Sequence, residues 1–184
     1  MKQDMQKEKG KKDKGQLSAI LDQLDYRSNL KFRFSALLYR TIVEEKDYGT
    51  GESVKMLDAH ILKDIDENQG ILSVDLSKMW CRTRSAICVI IRRLEKAGYI
   101  TKKYIEGNRK ERALFTTEKG HRLCELHRRY DAMQTSNLIQ SMLEKFTPEE
   151  IDAYFRVLEY QIEVMQKKCH IDDDGNVVFA YTTE

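Results

Sequence analysis

The sequence predicts a mainly α-helical protein with one small β-hairpin. A single proline and nine glycines in 184 residues leave long stretches free to form helix. Residues 73–120 spell a short helix, a tight turn, a second helix and then a basic hairpin. Amphipathic helical patterns flank this unit on both sides, their apolar residues recurring every three or four positions.

Residues 1–15 are lysine-rich and lack aromatic or branched apolar side chains, so a disordered basic tail is expected there. From Leu17 to about Lys46 the apolar residues Ile20, Leu21, Leu24, Leu30, Phe34, Leu37, Leu38 and Ile42 trace a helical stripe. Asp47-Tyr48-Gly49-Thr50-Gly51 breaks it. Ser53 is placed to cap a second helix over Val54–Glu67, with Leu57, Ile61, Leu62 and Ile65 on its apolar face. Ser73 stands where the next N-cap belongs. Thr83 opens the helix after it, which turns Ile87, Ile90, Ile91 and Leu94 inward and stops at Gly98. Tyr99–Tyr104 and Arg112–Thr117 read as paired strands around a Glu106-Gly107-Asn108 turn. Thr117 caps a long helix running to about Lys145. Phe146-Thr147-Pro148-Glu149-Glu150-Ile151 then combines a capping box, Pro at N1 and a hydrophobic staple. The helix it opens carries Tyr154, Phe155, Leu158, Ile162 and Met165 on one face. Val177–Tyr181 reads as a strand or as a loosely docked tail.

Charge points to function. Residues 80–112 hold ten Lys/Arg against three acids, a net of +7 in a chain whose total is only +2. Positive charge gathered on one helix-hairpin unit is the footprint of a surface that meets a polyanion, DNA first. No run of about 18 apolar residues is present, so no membrane span is expected. No apolar region follows the N-terminal lysines, which argues against an export signal and for a cytoplasmic protein. The four cysteines (81, 88, 124 and 169) form no CxxC pair and are expected to be reduced thiols. Without a glycine-rich phosphate loop, a nucleophile elbow or HExxH, the chain does not read as an enzyme.

The motifs in residues 73–120 are Leu94-Glu95-Lys96-Ala97-Gly98, Asn108-Arg109-Lys110 and Thr116-Thr117-Glu118-Lys119-Gly120. On these the chain resembles the MarR family of winged helix-turn-helix transcription regulators, over roughly Leu17–Lys168. Asn108 and Lys110 stand where the family's wing tip has aspartate and arginine, so the ion pair usual there is not carried over. Cys88-Val89 replaces a polar pair, so no operator preference is carried over. The resemblance implies a winged helix-turn-helix domain with N- and C-terminal dimerisation helices. The expected organisation is a basic tail (1–15), an N-terminal dimerisation helix (16–52), the DNA-binding domain (53–120), C-terminal dimerisation helices (121–170) and a tail (171–184). It further implies a homodimer on a palindromic double-stranded operator, acting as a repressor relieved by a small-molecule effector.

Arg84 and Ser85 are the candidates for base edges, and Val89 for a thymine methyl. Arg82, Arg92 and Arg93 are placed for phosphates, with Thr83 and Cys88 completing the helix surface. On the wing, Arg109 and Lys110 are candidates for the minor groove, flanked by Lys102 and Arg112. Tyr26, Arg27, Phe34 and Tyr39 are candidate effector-lining residues. Alternatives are a winged helix that docks protein partners, or a redox- or metal-sensing form of the same regulator. His121, Cys124 and His127 drift around one helix and cannot all face one ion. Asp172-Asp173-Asp174-Gly175-Asn176 lacks the ligand spacing of a calcium loop. No metal or cofactor is expected.

Overall fold

The computed structural model describes residues 2–105, 108–172 and 177–179. It is mainly helical, with short antiparallel hairpins, and divides between Glu44 and Glu45 into two compact units.

The first unit is α1 (Lys2–Val43), a single helix. Its backbone is helical through the segment expected to be a disordered tail. Lys, Gln, Glu and Met there are good helix formers, so a helix nucleated on the apolar stripe can propagate back through them.

The second unit opens with a hairpin that the sequence does not announce. β1 (Glu45–Asp47) pairs with β2 (Ser53–Lys55), so Ser53 lies on a strand and caps no helix. Residues 45–52 therefore belong with the winged helix and not with the N-terminal helix. Asp47 organises the loop: its Oδ1 accepts from the backbone N–H groups of Gly49, Thr50 and Gly51 at 2.8, 2.8 and 3.0 Å. These hydrogen bonds, Gly49's foremost, hold the carboxyl below its ordinary pKa. Gly49 (φ +103°) and Gly51 (φ +79°) take the left-handed conformation that the tight path requires.

α2 (Met56–Glu67), α3 (Ser73–Met79) and α4 (Arg84–Lys96) follow, then β3 (Ile100–Ile105) and β4 (Asn108–Thr116). Ser73 begins α3 but does not cap it; Leu72 holds the cap position without a side-chain bond. Ile71 pairs with Leu114 through backbone bonds, adding a short third segment beside the wing. Ile61, Leu62 and Ile65 from α2, Leu76 from α3, the inner face of α4, Ile100, Leu114 and Leu123 form one buried core. Burying such side chains contributes about 1.5–3 kcal/mol each, which makes this cluster the main support of the unit. Trp80 packs at its edge, and its Nε1 donates to Asp64 Oδ2 at 2.6 Å.

α5 (Glu118–Leu143) and α6 (Pro148–Lys168) are both capped as read from sequence. Thr117 Oγ1 accepts from Gly120 N, and Thr147 with Glu150 closes a reciprocal capping box. β5 (Cys169–Ile171) then pairs antiparallel with β6 (Val177–Phe179), so a strand does form from Val177; the Asp173–Asn176 part of the acidic run lies outside the described residues.

Cys169 is joined to Cys81 by a disulfide, their Cα atoms 6.2 Å apart. This corrects the expectation of four reduced thiols. The partners are 88 positions apart, and only the fold brings them together. Cys88 is an exposed free thiol and Cys124 a buried one. Oxidised protein is therefore expected to show one fast-reacting thiol when folded and two when denatured. Four thiols in denatured, unreduced protein would refute the pairing. Reduction should lower stability by about 2–4 kcal/mol, read by urea denaturation.

Candidate nucleic-acid interface

α3 and α4 are joined by a turn that fixes their relative placement. Arg82 N donates to Ser77 O at 3.0 Å, and the buried Ser77 hydroxyl donates back to Arg82 O. Cys81 adopts φ +47°, a left-handed conformation that non-glycine residues seldom take. Thr83 then caps α4, its Oγ1 accepting from Ala86 N at 3.2 Å and lying 3.0 Å from Ser85 Oγ. Ile87, Ile90, Ile91 and Leu94 are buried, all 3% exposed or less. The opposite face presents Arg84, Ser85, Cys88, Val89 and Arg92 to solvent, as the 3.6-residue period dictates.

The wing stands beside this face. β3 and β4 pair in register from Ile100 opposite Thr116 to Tyr104 opposite Arg112. Lys103 lies over the Phe115 ring at 4.6 Å. Arg112 stacks 4.9 Å from the Tyr104 ring centre, and its Nη2 donates to the Tyr104 hydroxyl at 3.1 Å. Between α4 and the wing runs a cleft of ≈ 300 Å³ lined by Ser73, Cys88, Arg92, Lys102, Glu111 and Arg112. Three cations and one carboxylate line it. Arg109 and Lys110 are on the β4 backbone near the wing tip; their side chains lie outside the described residues.

Two of the expected contact residues are paired with carboxylates within the protein. Arg93 makes a bidentate pair with Asp58 of α2, Nε to Oδ2 at 2.8 Å and Nη2 to Oδ1 at 2.7 Å. The hydrogen bond to Asp58 raises the guanidinium pKa further, and Asp58 itself is buried. Arg93 therefore anchors the end of α4, with 44% of its side chain still exposed. Lys102 donates to Glu95 at 2.6 Å, which offsets its charge in the cleft lining. The remaining cations place positive potential on the outward face of α4 and along the wing.

This arrangement of capped helix, tight turn, exposed basic helix and hairpin has counterparts. The MarR family model matches residues 55–111, from the end of β2 into the wing. An uncharacterized HTH-type transcriptional regulator of Bacillus subtilis, YybA, is 37% identical over 112 residues, spanning 61% of this chain and 72% of its own. The chain belongs to the MarR family.

A second B. subtilis HTH-type transcriptional regulator, YhjH, is 24% identical over 105 residues; there the match spans 57% of this chain and 59% of YhjH. A chain assigned to the MarR transcriptional regulators from Listeria monocytogenes, solved with 26mer DNA, superposes with a TM-score of 0.52 at 29% identity, covering 82% of this chain and 87% of that one.

In this MarR-family chain the expected effector residues Tyr26, Arg27, Phe34 and Tyr39 are all exposed on α1, with Arg27 and Phe34 on one face. The His121-Cys124-His127 trio separates. His121 pairs with Asp66 at 2.9 Å, and burial pushes the Cys124 thiol up to about 12. His127 instead meets His60 and Asp131, a grouping that sequence spacing hid because His60 comes from a different helix. Among the described residues no helix is long and apolar enough to cross a membrane.

Proposed function

We propose that this protein is a dimeric, sequence-specific DNA-binding regulator of the cytoplasm, acting as a repressor relieved by a small-molecule effector. The observation that carries the DNA reading is α4 itself. One face is locked into the core, while Arg84, Ser85, Val89 and Arg92 stand exposed on the other, beside a cleft to the wing that Arg92 and Arg112 line. A helix of this width enters the major groove, where arginine reads guanine by two hydrogen bonds. Arg84 and Ser85, next to the cap, read base edges, and Val89 packs on a thymine methyl. Arg82, Arg92 and Arg112 hold phosphates, Arg109 and Lys110 reach the minor groove, and Thr83 positions the helix start. Cys88 lies on the same surface.

Dimerisation is supported by apolar surface. Leu21, Leu24, Phe34, Leu37 and Leu38 on α1 are exposed, as are Phe155, Val157, Tyr160 and Ile162 on α6. Uncovered rows of this size call for a partner, and a second copy would carry the same rows. Residues 16–43 and 121–170 are thus the dimerisation helices, placing two copies of α4 one DNA turn apart on a palindromic site. A monomer by light scattering at micromolar concentration would defeat this.

The deciding experiment is fluorescence anisotropy with a labelled duplex from upstream of the protein's own gene, a scrambled duplex and a salt series. Specific binding with a steep salt slope is expected. Arg84→Ala should cost about 1–3 kcal/mol, concentrated at one base pair. Arg92→Ala should weaken all duplexes alike and reduce the salt slope by about one. Absence of binding at low salt would favour a winged helix that docks protein partners.

A further inference from the structure

His127 is buried in the second unit at 1% exposure, and neither ring nitrogen has a hydrogen-bond partner among the described residues. Leaving a polar group unsatisfied in a core is costly. Its Nδ1 lies 3.2 Å from Asp131 Oδ2, close enough for an ion pair but without hydrogen-bond geometry. His60, from α2, meets His127 edge-on, ring centres 4.6 Å apart, and its Nε2 is 3.9 Å from the same Asp131 oxygen. One donor atom from each residue lies within 4.8 Å of the others.

We propose that His60, His127 and Asp131 bind one divalent transition-metal ion of the zinc class, joining α2 to α5. Two imidazoles and a carboxylate are the mixed nitrogen-oxygen donor set such ions take, at about 2.0–2.2 Å each. Bonds of that length hold tetrahedral ligands about 3.3 Å apart, so the donor atoms, at most 4.8 Å apart, close by about 1.5 Å or less through side-chain rotation. Burial already disfavours the charged form of His127, leaving the neutral imidazole that a metal requires. His60 and Asp131, each about one-third exposed, form the solvent side and leave a fourth position for water. Tyr48 and Tyr130 close the inner side: Tyr48 packs edge-on against both His127 and Tyr130. The clamp joins the winged helix to the helix that leaves it. One turn along α2 from His60, Asp64 accepts the Trp80 indole N–H, which ties the same clamp to the end of α3.

The test uses full-length protein stripped with EDTA, titrated with Zn²⁺ against a chromophoric chelator and with Co²⁺ as a visible probe. Expected are one ion per chain and a Co²⁺ spectrum of low coordination number without a thiolate charge-transfer band. Zn²⁺ should also raise the melting temperature. His60→Ala and Asp131→Asn should each weaken binding at least about tenfold while retaining the far-UV circular dichroism of the wild type. Should His60→Ala fail to fold, the more exposed Asp131→Asn decides. Cys88→Ser and His121→Ala should bind as the wild type does. Absence of binding at micromolar metal would overturn the proposal. So would binding that survives Asp131→Asn, or that is lost in Cys88→Ser. None of these readouts involves DNA, so the site stands or falls apart from the regulator reading.

Discussion

Gly120→Ala is expected to destabilise the winged-helix unit by about 3 kcal/mol or more. The glycine lies in the first turn of α5, where the helix passes over the strand start. A Cβ there would run into the Tyr99 carbonyl oxygen and lie 3.0 Å from its carbonyl carbon. Neither side has room to give way. Tyr99 is 2% exposed, and its carbonyl accepts from Thr117 N at 3.0 Å and from the Thr117 hydroxyl at 3.2 Å. That same hydroxyl caps α5 by accepting from Gly120 N at 3.1 Å. Backing α5 away from Tyr99 would break the cap and the strand contact together. Thermal unfolding should show a fall of roughly 10 °C. An unchanged melting temperature would mean that α5 can shift without cost.

Arg93→Met is expected to cost about 2–3 kcal/mol, a value reduced from that of a fully buried pair because the Arg93 side chain is 44% exposed. The loss arises on the partner. Asp58 keeps only 6% of its side-chain surface in water, so removing the guanidinium strands a carboxylate in the core. Arg93→Lys should recover only part of the loss, because an ammonium cannot supply the two parallel N–H donors observed. The double variant Asp58→Leu with Arg93→Met should lie well above the single one, since paired apolar replacement removes the stranded charge. Urea denaturation across the set checks the ordering. A single variant as stable as wild type would refute the anchor, and one as unstable as the double variant would refute the stranded-charge explanation. Folded Arg93→Lys should also bind DNA more nearly like wild type than Arg92→Ala does.

Much of the interface was legible in the chain because it depends on local rules. Period alone put Ile87, Ile90, Ile91 and Leu94 inside and Arg84, Ser85, Val89 and Arg92 outside. Thr117 and Thr147 announced their helices because capping depends on residues within one turn. The β1–β2 hairpin escaped notice because strands of three residues are too short to show alternation, and its glycines read equally well as a helix stop.

Sequence by itself determined the order of elements from α2 to α6, the inward face of the recognition helix, the concentration of positive charge around it and the likeness to a regulator family. Those properties follow from spacing within a turn or a strand, and from charge that needs no partner to be counted. The tertiary structure alone decided which charges are spent internally and which long-range pairs form. Arg93 met Asp58, 35 positions away. Cys81 met Cys169, 88 positions away, and His127 met His60 across two helices. Such meetings depend on how elements pack, and no local rule of propensity, capping or periodicity encodes them.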